Sequence, residues 1–88
     1  MTYYKIQQME ICYDPDRMNG RYFAEVSVAT FDEFRDRSDP SKATQVEKLE
    51  VILNGPGINK ARRKIGLQLK FRGMDLNIRN DNITPLKY

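Results

Sequence analysis

Apolar and polar positions alternate strictly between Lys64 and Arg79. Ile65, Leu67, Leu69 and Phe71 are separated by Gly66, Gln68 and Lys70, and after Gly73 the apolar positions Met74, Leu76 and Ile78 alternate with Asp75, Asn77 and Arg79. Period two marks a strand with one buried face, and two such runs around a short loop predict a β-hairpin. With Arg72-Gly73 as the loop, Phe71 faces Met74, Leu69 faces Leu76 and Leu67 faces Ile78. On the other side Lys70 faces Asp75, Gln68 faces Asn77, and Arg79 lies opposite Gly66. A slip of one residue would set apolar against polar throughout, so this register is well specified. Arginine is nonetheless a poor residue for the first position of a type I′ turn.

The N-terminal third reads as a second hairpin. Tyr4 and Ile6 share one phase while Met9, Ile11 and Tyr13 share the other, which predicts a strand over 3–13 interrupted by a β-bulge at Gln7-Gln8. Residues 14–20, with Asp, Pro, Asn and Gly, form a connection. Tyr22, Ala24, Val26 and Val28 then alternate with Phe23, Glu25, Ser27 and Ala29, giving a second strand antiparallel to the first.

The middle of the chain carries helix signals. Thr30 through Glu33 has the form of a capping box and predicts a helical turn to Arg37. Asp39 followed by Pro40 has the form of an N-cap and N1 pair, and Gly55-Pro56 that of a stop, so a helix over 40–53 is expected. The competing reading makes 46–53 a strand through Leu49, Val51 and Leu53. For 58–71 a helix following a glycine turn is the competing reading, which would make a helix-turn-helix with a basic second helix. It aligns Ile58, Ala61, Ile65 and Leu69 but leaves Leu67 and Phe71 outside the apolar face and Gly66 in the interior, whereas the strand accommodates all four apolar residues from 65 to 71. The strand is therefore preferred.

These elements add up to an α+β fold: an antiparallel four-stranded sheet of two hairpins with one central helix packed on one face. The runner-up is a small five-stranded β-barrel, reached if 46–53 is a strand. Eighty-eight residues make a single domain, 1–88. A core this small supplies only a few kcal/mol or draws on a partner subunit. Apolar residues at 40% with five Tyr and four Phe indicate a globular chain rather than a disordered one. No apolar run nears the roughly 18 residues of a membrane span, and the first residues have no signal-peptide core. The lone Cys12 forms no internal disulfide, which suits a cytoplasmic location. Asn82-Ile83-Thr84 is then a chance glycosylation match. Residues 83–88 carry three apolar side chains that suit either docking on a sheet edge or fraying.

The side-chain inventory narrows the chemistry. Without histidine, the Ser-His-Asp and Cys-His nucleophiles are excluded, and one cysteine with no histidine disfavours zinc. The turn beginning at Asp14 is not a calcium loop: position five falls on Met18, position six on Asn19 in place of glycine, and position twelve on Glu25 inside a strand. Residues 54–60 lack the Gly-Lys-Ser/Thr ending of a phosphate loop. The carboxylates Asp32, Glu33, Asp36 and Asp39 have no nucleophile beside them and read as a solvated face. No enzymatic activity, cofactor, metal or small-molecule substrate is expected.

Charge supplies the functional lead. Residues 1–59 hold seven Lys/Arg against ten Asp/Glu, while residues 60–88 hold eight against two. An acidic partner for the C-terminal third follows. The expected function is a small non-enzymatic binding protein engaging DNA or RNA through a basic edge at 60–64 and 79. Lys60, Arg62, Arg63, Lys64 and Arg79 would contact phosphates, with Lys70 and Arg72 secondary. Tyr3, Tyr4, Tyr13, Tyr22 and Phe23 on the first two strands could stack on bases or simply pack. The alternative is a protein–protein interaction module or inhibitor, acting as a homodimer in which the acidic and basic segments meet across a two-fold. Against both stands the plain reading of the cations as a solubilising face.

Overall fold

Tyr3–Asp14 (β1), Arg21–Phe31 (β2) and Gln45–Leu53 (β3) form a three-stranded antiparallel sheet in the order β1-β2-β3, followed by one helix, Ile58–Phe71 (α1). These elements come from a computed structural model, which describes residues 2–17, 20–74 and 76–86. The first hairpin is as expected, including the bulge: the β1–β2 register shifts between Ile6 and Gln8. That extra residue reverses the phase of β1, so that Tyr4 and Ile6 pack against the same core as Met9 and Ile11. Twelve residues at about 3.3 Å each account for most of the 42 Å long axis.

The expected helix over 40–53 is absent, and its N-cap is real but serves a shorter element. Asp39 Oδ1 accepts from the Ser41 N–H (3.1 Å) and hydroxyl (2.7 Å), and Pro40 opens a 3-10 turn that ends at Lys42. Residues 45–53 instead form β3, with Leu49, Val51 and Leu53 buried on one face. The sequence QVEKLEVIL has β-branched residues at Val46, Val51 and Ile52, which favour a pleated strand. The Thr30 capping box does not form either: β2 runs through Phe31, and the helical turn is a 3-10 segment, Phe34–Ser38, capped at Glu33 without a side-chain bond. This turn packs on β1 and β2, at the end where Ala29 and Phe31 are buried.

The C-terminal hairpin is also corrected. Residues 58–71 are helical, with Ala61, Ile65 and Leu69 fully buried while Leu67 and Phe71 are 53% and 77% exposed. Nine of the fourteen residues are neither β-branched nor aromatic nor glycine nor Asn, so intrinsic preference opposes a strand. Gly73 is a helix stop rather than a hairpin loop. At φ +76° it donates to the Lys70 carbonyl (3.0 Å) while Met74 donates to that of Leu69 (2.9 Å), the paired bonds of a Schellman motif. The pairs Phe71–Met74, Leu69–Leu76, Leu67–Ile78 and Gln68–Asn77 therefore do not form, nor does Arg79 pair with Gly66. The expected Lys70–Asp75 pair involves Asp75, outside the described residues.

After α1 the chain returns to the far edge of the sheet. Thr84 bridges β1 in parallel, its N–H donating to the Met9 carbonyl (2.8 Å) and its carbonyl accepting from Ile11 (3.0 Å), so the tail does dock on an edge. One core results, between the inward sheet face, α1 and the returning residues Met74, Ile78 and Ile83. The fold is thus α+β with one helix, but the sheet has three strands and the described residues form no barrel. Among them no helix is long and apolar enough to cross a membrane.

Candidate functional site

The helix gathers what the sequence had strung out. Lys60, Arg63, Leu67 and Lys70 are spaced by three, four and three, and follow one line along the exposed side of α1. Arg62 and Lys64 flank that line and are half-buried. No acidic residue occurs in α1, and its N-cap, Gly57, contributes no side-chain bond. Among the described residues ion pairs engage Arg17, Arg35, Lys42, Arg72 and Arg79, and none engages Lys60, Arg62, Arg63 or Lys70.

The other expected site residues divide between an exposed groove and structural positions. Arg79 reaches the same side as Arg62: together with Ile78, Asn80 and Asp81 they line a shallow groove beside α1. Asn80 Nδ2 donates to Asn59 Oδ1 (2.6 Å), which ties that groove to the first turn of α1. Arg79 also contacts Asp81 (3.6 Å), leaving its charge partly offset. Lys64 donates to the Ile52 carbonyl on the outer edge of β3 (3.4 Å), and Arg72 pairs with Glu47. Those two side chains fasten the helix to β3, so they are positioned less freely than Lys60, Arg63 and Lys70.

The sheet face turned away from α1 carries a row of carboxylates, with Lys48 beside it. Glu10, Glu25 and Glu50 are direct cross-strand neighbours on β1, β2 and β3. Like charges set directly opposite destabilise a sheet, and among the described residues side-chain contacts engage the outer two. Gln8 donates to Glu10 (3.2 Å) and Arg17 pairs with Glu50. Cys12 lies beside this row, its sulfur within 4.8 Å of a carboxylate oxygen of Glu10 and of Glu25. Burial, and then the carboxylates of Glu25, Glu10 and Glu50, push the Cys12 thiol above its ordinary pKa. The shift lowers the thiolate fraction and with it the nucleophilicity of this thiol.

The aromatic residues named from the sequence are largely engaged elsewhere. Tyr4 and Tyr22 pack on the core, Tyr13 meets Tyr22 at a tilt with centroids 4.8 Å apart, and Tyr3 meets Phe34 edge-on at 5.7 Å. Phe23 lies under the Arg17 guanidinium. Sequence reasoning missed two features. The glutamate row depends on the register of distant strands and has no local signal. The exposure of Leu67 and Phe71 was visible as the pair that failed the helical template.

No family model, curated protein or solved structure matches this chain.

Proposed function

We propose that this protein is a small non-enzymatic nucleic-acid-binding module that grips phosphates with the exposed side of α1 and with Arg79. One observation carries the reading. The helix holds five cations and no anion, and none of the five has an ion-pair partner among the described residues. Lys60 also lies in the first turn, where the helix dipole is positive. Cations there cost about 0.3–1 kcal/mol, and a bound phosphate would relieve that cost. The glutamate row on the opposite face would repel a polyanion, so approach from the helix side is favoured.

Anisotropy titration of a labelled oligonucleotide against salt tests this. Four phosphate contacts predict an affinity falling with a log–log slope of about −3 to −4 on duplex. The double variant Arg62→Glu/Arg63→Glu should abolish binding without unfolding the chain. Binding that ignores salt, or is absent on every oligonucleotide, rejects the proposal.

The basic helix and the glutamate row favour a second reading, association between copies. A basic helix on one face and an acidic row on the other meet head to tail rather than across a two-fold, because a two-fold contact would need both in one patch. Scattering at low salt distinguishes them: mass growing beyond a dimer supports this reading, and a constant monomer mass rejects it.

A further inference from the structure

Leu67 and Phe71 are one helical turn apart on the exposed side of α1, 53% and 77% exposed, and neither belongs to the core cluster. Exposed apolar side chains at helical spacing are not needed to hold phosphates, which cations alone can do. Their setting is specific. Lys60, Arg63 and Lys70 run in one row with Leu67, over ten residues or about 15 Å of helix, and Phe71 lies beside Leu67 in the next turn.

We infer that this stripe binds a single strand of nucleic acid, the phosphates lying along Lys60, Arg63 and Lys70 and a base resting on Phe71 and Leu67. The inference rests on the proposed nucleic-acid function and names its substrate class. Charge complementarity selects a polyanion, and the apolar pair within the cationic row selects one whose flat faces are accessible. Stacking on aromatic side chains beside a basic track is how single strands are held without sequence preference. In a duplex the base faces are covered, and phosphates approach from two strands across a groove about 12 Å wide, whereas the cations here form one line.

The other aromatic–cationic cluster does not compete. At Phe34 the Arg37 guanidinium already covers the ring at 3.6 Å, Arg35 pairs with Glu33 (2.8 Å), and Lys5 donates to the Arg37 carbonyl (3.0 Å). Its cations and its ring are spent on one another.

The test uses the full chain with labelled 12-mers: a mixed-sequence single-stranded DNA, the matching RNA, and the DNA duplex. The unmodified protein should bind at least one single strand about tenfold more tightly than the duplex. Phe71→Ala should weaken that single-strand binding roughly 5- to 30-fold while changing duplex affinity less than twofold, and Phe71→Tyr should restore most of it. Because Phe71 lies outside the core, its melting curve should stay in place, and Leu67→Ala provides a second variant. Duplex binding equal to or tighter than single-strand binding overturns the inference. So does an unchanged single-strand affinity in Phe71→Ala when Arg62→Glu/Arg63→Glu abolishes binding, a result that leaves the broader nucleic-acid reading standing. Failure to bind any oligonucleotide overturns both. Phe71-dependent binding to phosphatidylserine vesicles in that case would assign the stripe to an anionic lipid surface instead.

Discussion

Replacing Ile65 by alanine should cost this protein about 3 kcal/mol, whereas replacing Leu67 should change stability by less than about 0.5 kcal/mol. Ile65 is fully buried between α1 and the sheet, and Leu67, two residues on, is 53% exposed. Deleting a buried Ile side chain loses its transfer free energy and leaves a cavity, together about 2–5 kcal/mol. At Leu67 most of the surface is already wet, and alanine slightly improves helix propensity. A domain of 88 residues has a total stability of roughly 4–13 kcal/mol, so the first variant loses a large fraction of it. Its midpoint should fall by about 12–24 °C, at roughly 4–8 °C per kcal/mol. Urea unfolding followed by circular dichroism reads both variants against the parent. The comparison is sharp because a strand over 65–71 would put both residues on one buried face. Equal losses at 65 and 67 would refute the helical packing of this segment.

Three further outcomes follow from the same geometry. A Cβ at Gly66 meets nothing within 4 Å, so Gly66→Ala should stabilise α1 by about 0.5–1 kcal/mol, read as a raised urea midpoint with oligonucleotide affinity unchanged. Lys60→Glu should raise stability by about 0.3–1 kcal/mol through the helix dipole and weaken oligonucleotide binding severalfold; a variant less stable than the parent would contradict the dipole argument. Cys12, with its thiol pushed up by burial and by Glu25, Glu10 and Glu50, carries less thiolate at pH 7.5 than a free cysteine. It should therefore react with iodoacetamide more slowly than a small-molecule thiol, the rate rising as pH climbs past 9, and Glu25→Gln should accelerate it. Mass spectrometry of timed aliquots measures this, and an unshifted pH profile would refute the electrostatic account.

Much of the N-terminal half was legible because its signals are local. Alternation in 3–13 and 22–29, the phase break at Gln7-Gln8 and the cap formed by Asp39 and Pro40 each depend on neighbours in the chain, and each is present. The cap nonetheless led to a wrong helix, since a capped 3-10 turn and the first turn of an α-helix share one signature. At 58–71 the residues Ile65 and Leu69 satisfy both a period of two and a helical period. Strict alternation outweighed a composition of Ala, Arg, Lys, Leu and Gln that favours a helix.

What the sequence determined alone was the first hairpin with its bulge, the cation-rich character of residues 60–79 and the absence of histidine chemistry, all properties of local order or composition. The tertiary structure decided the rest. The residues 45–53 became a strand because β2 had a free edge to pair, and 58–71 became a helix because that sheet had an apolar face to cover. It also decided which cations share a surface, that three glutamates from three strands stand side by side, and that Leu67 and Phe71 face outward. Each of these depends on pairings between residues far apart in the chain, which local composition favours at 45–53 and 58–71 but does not fix.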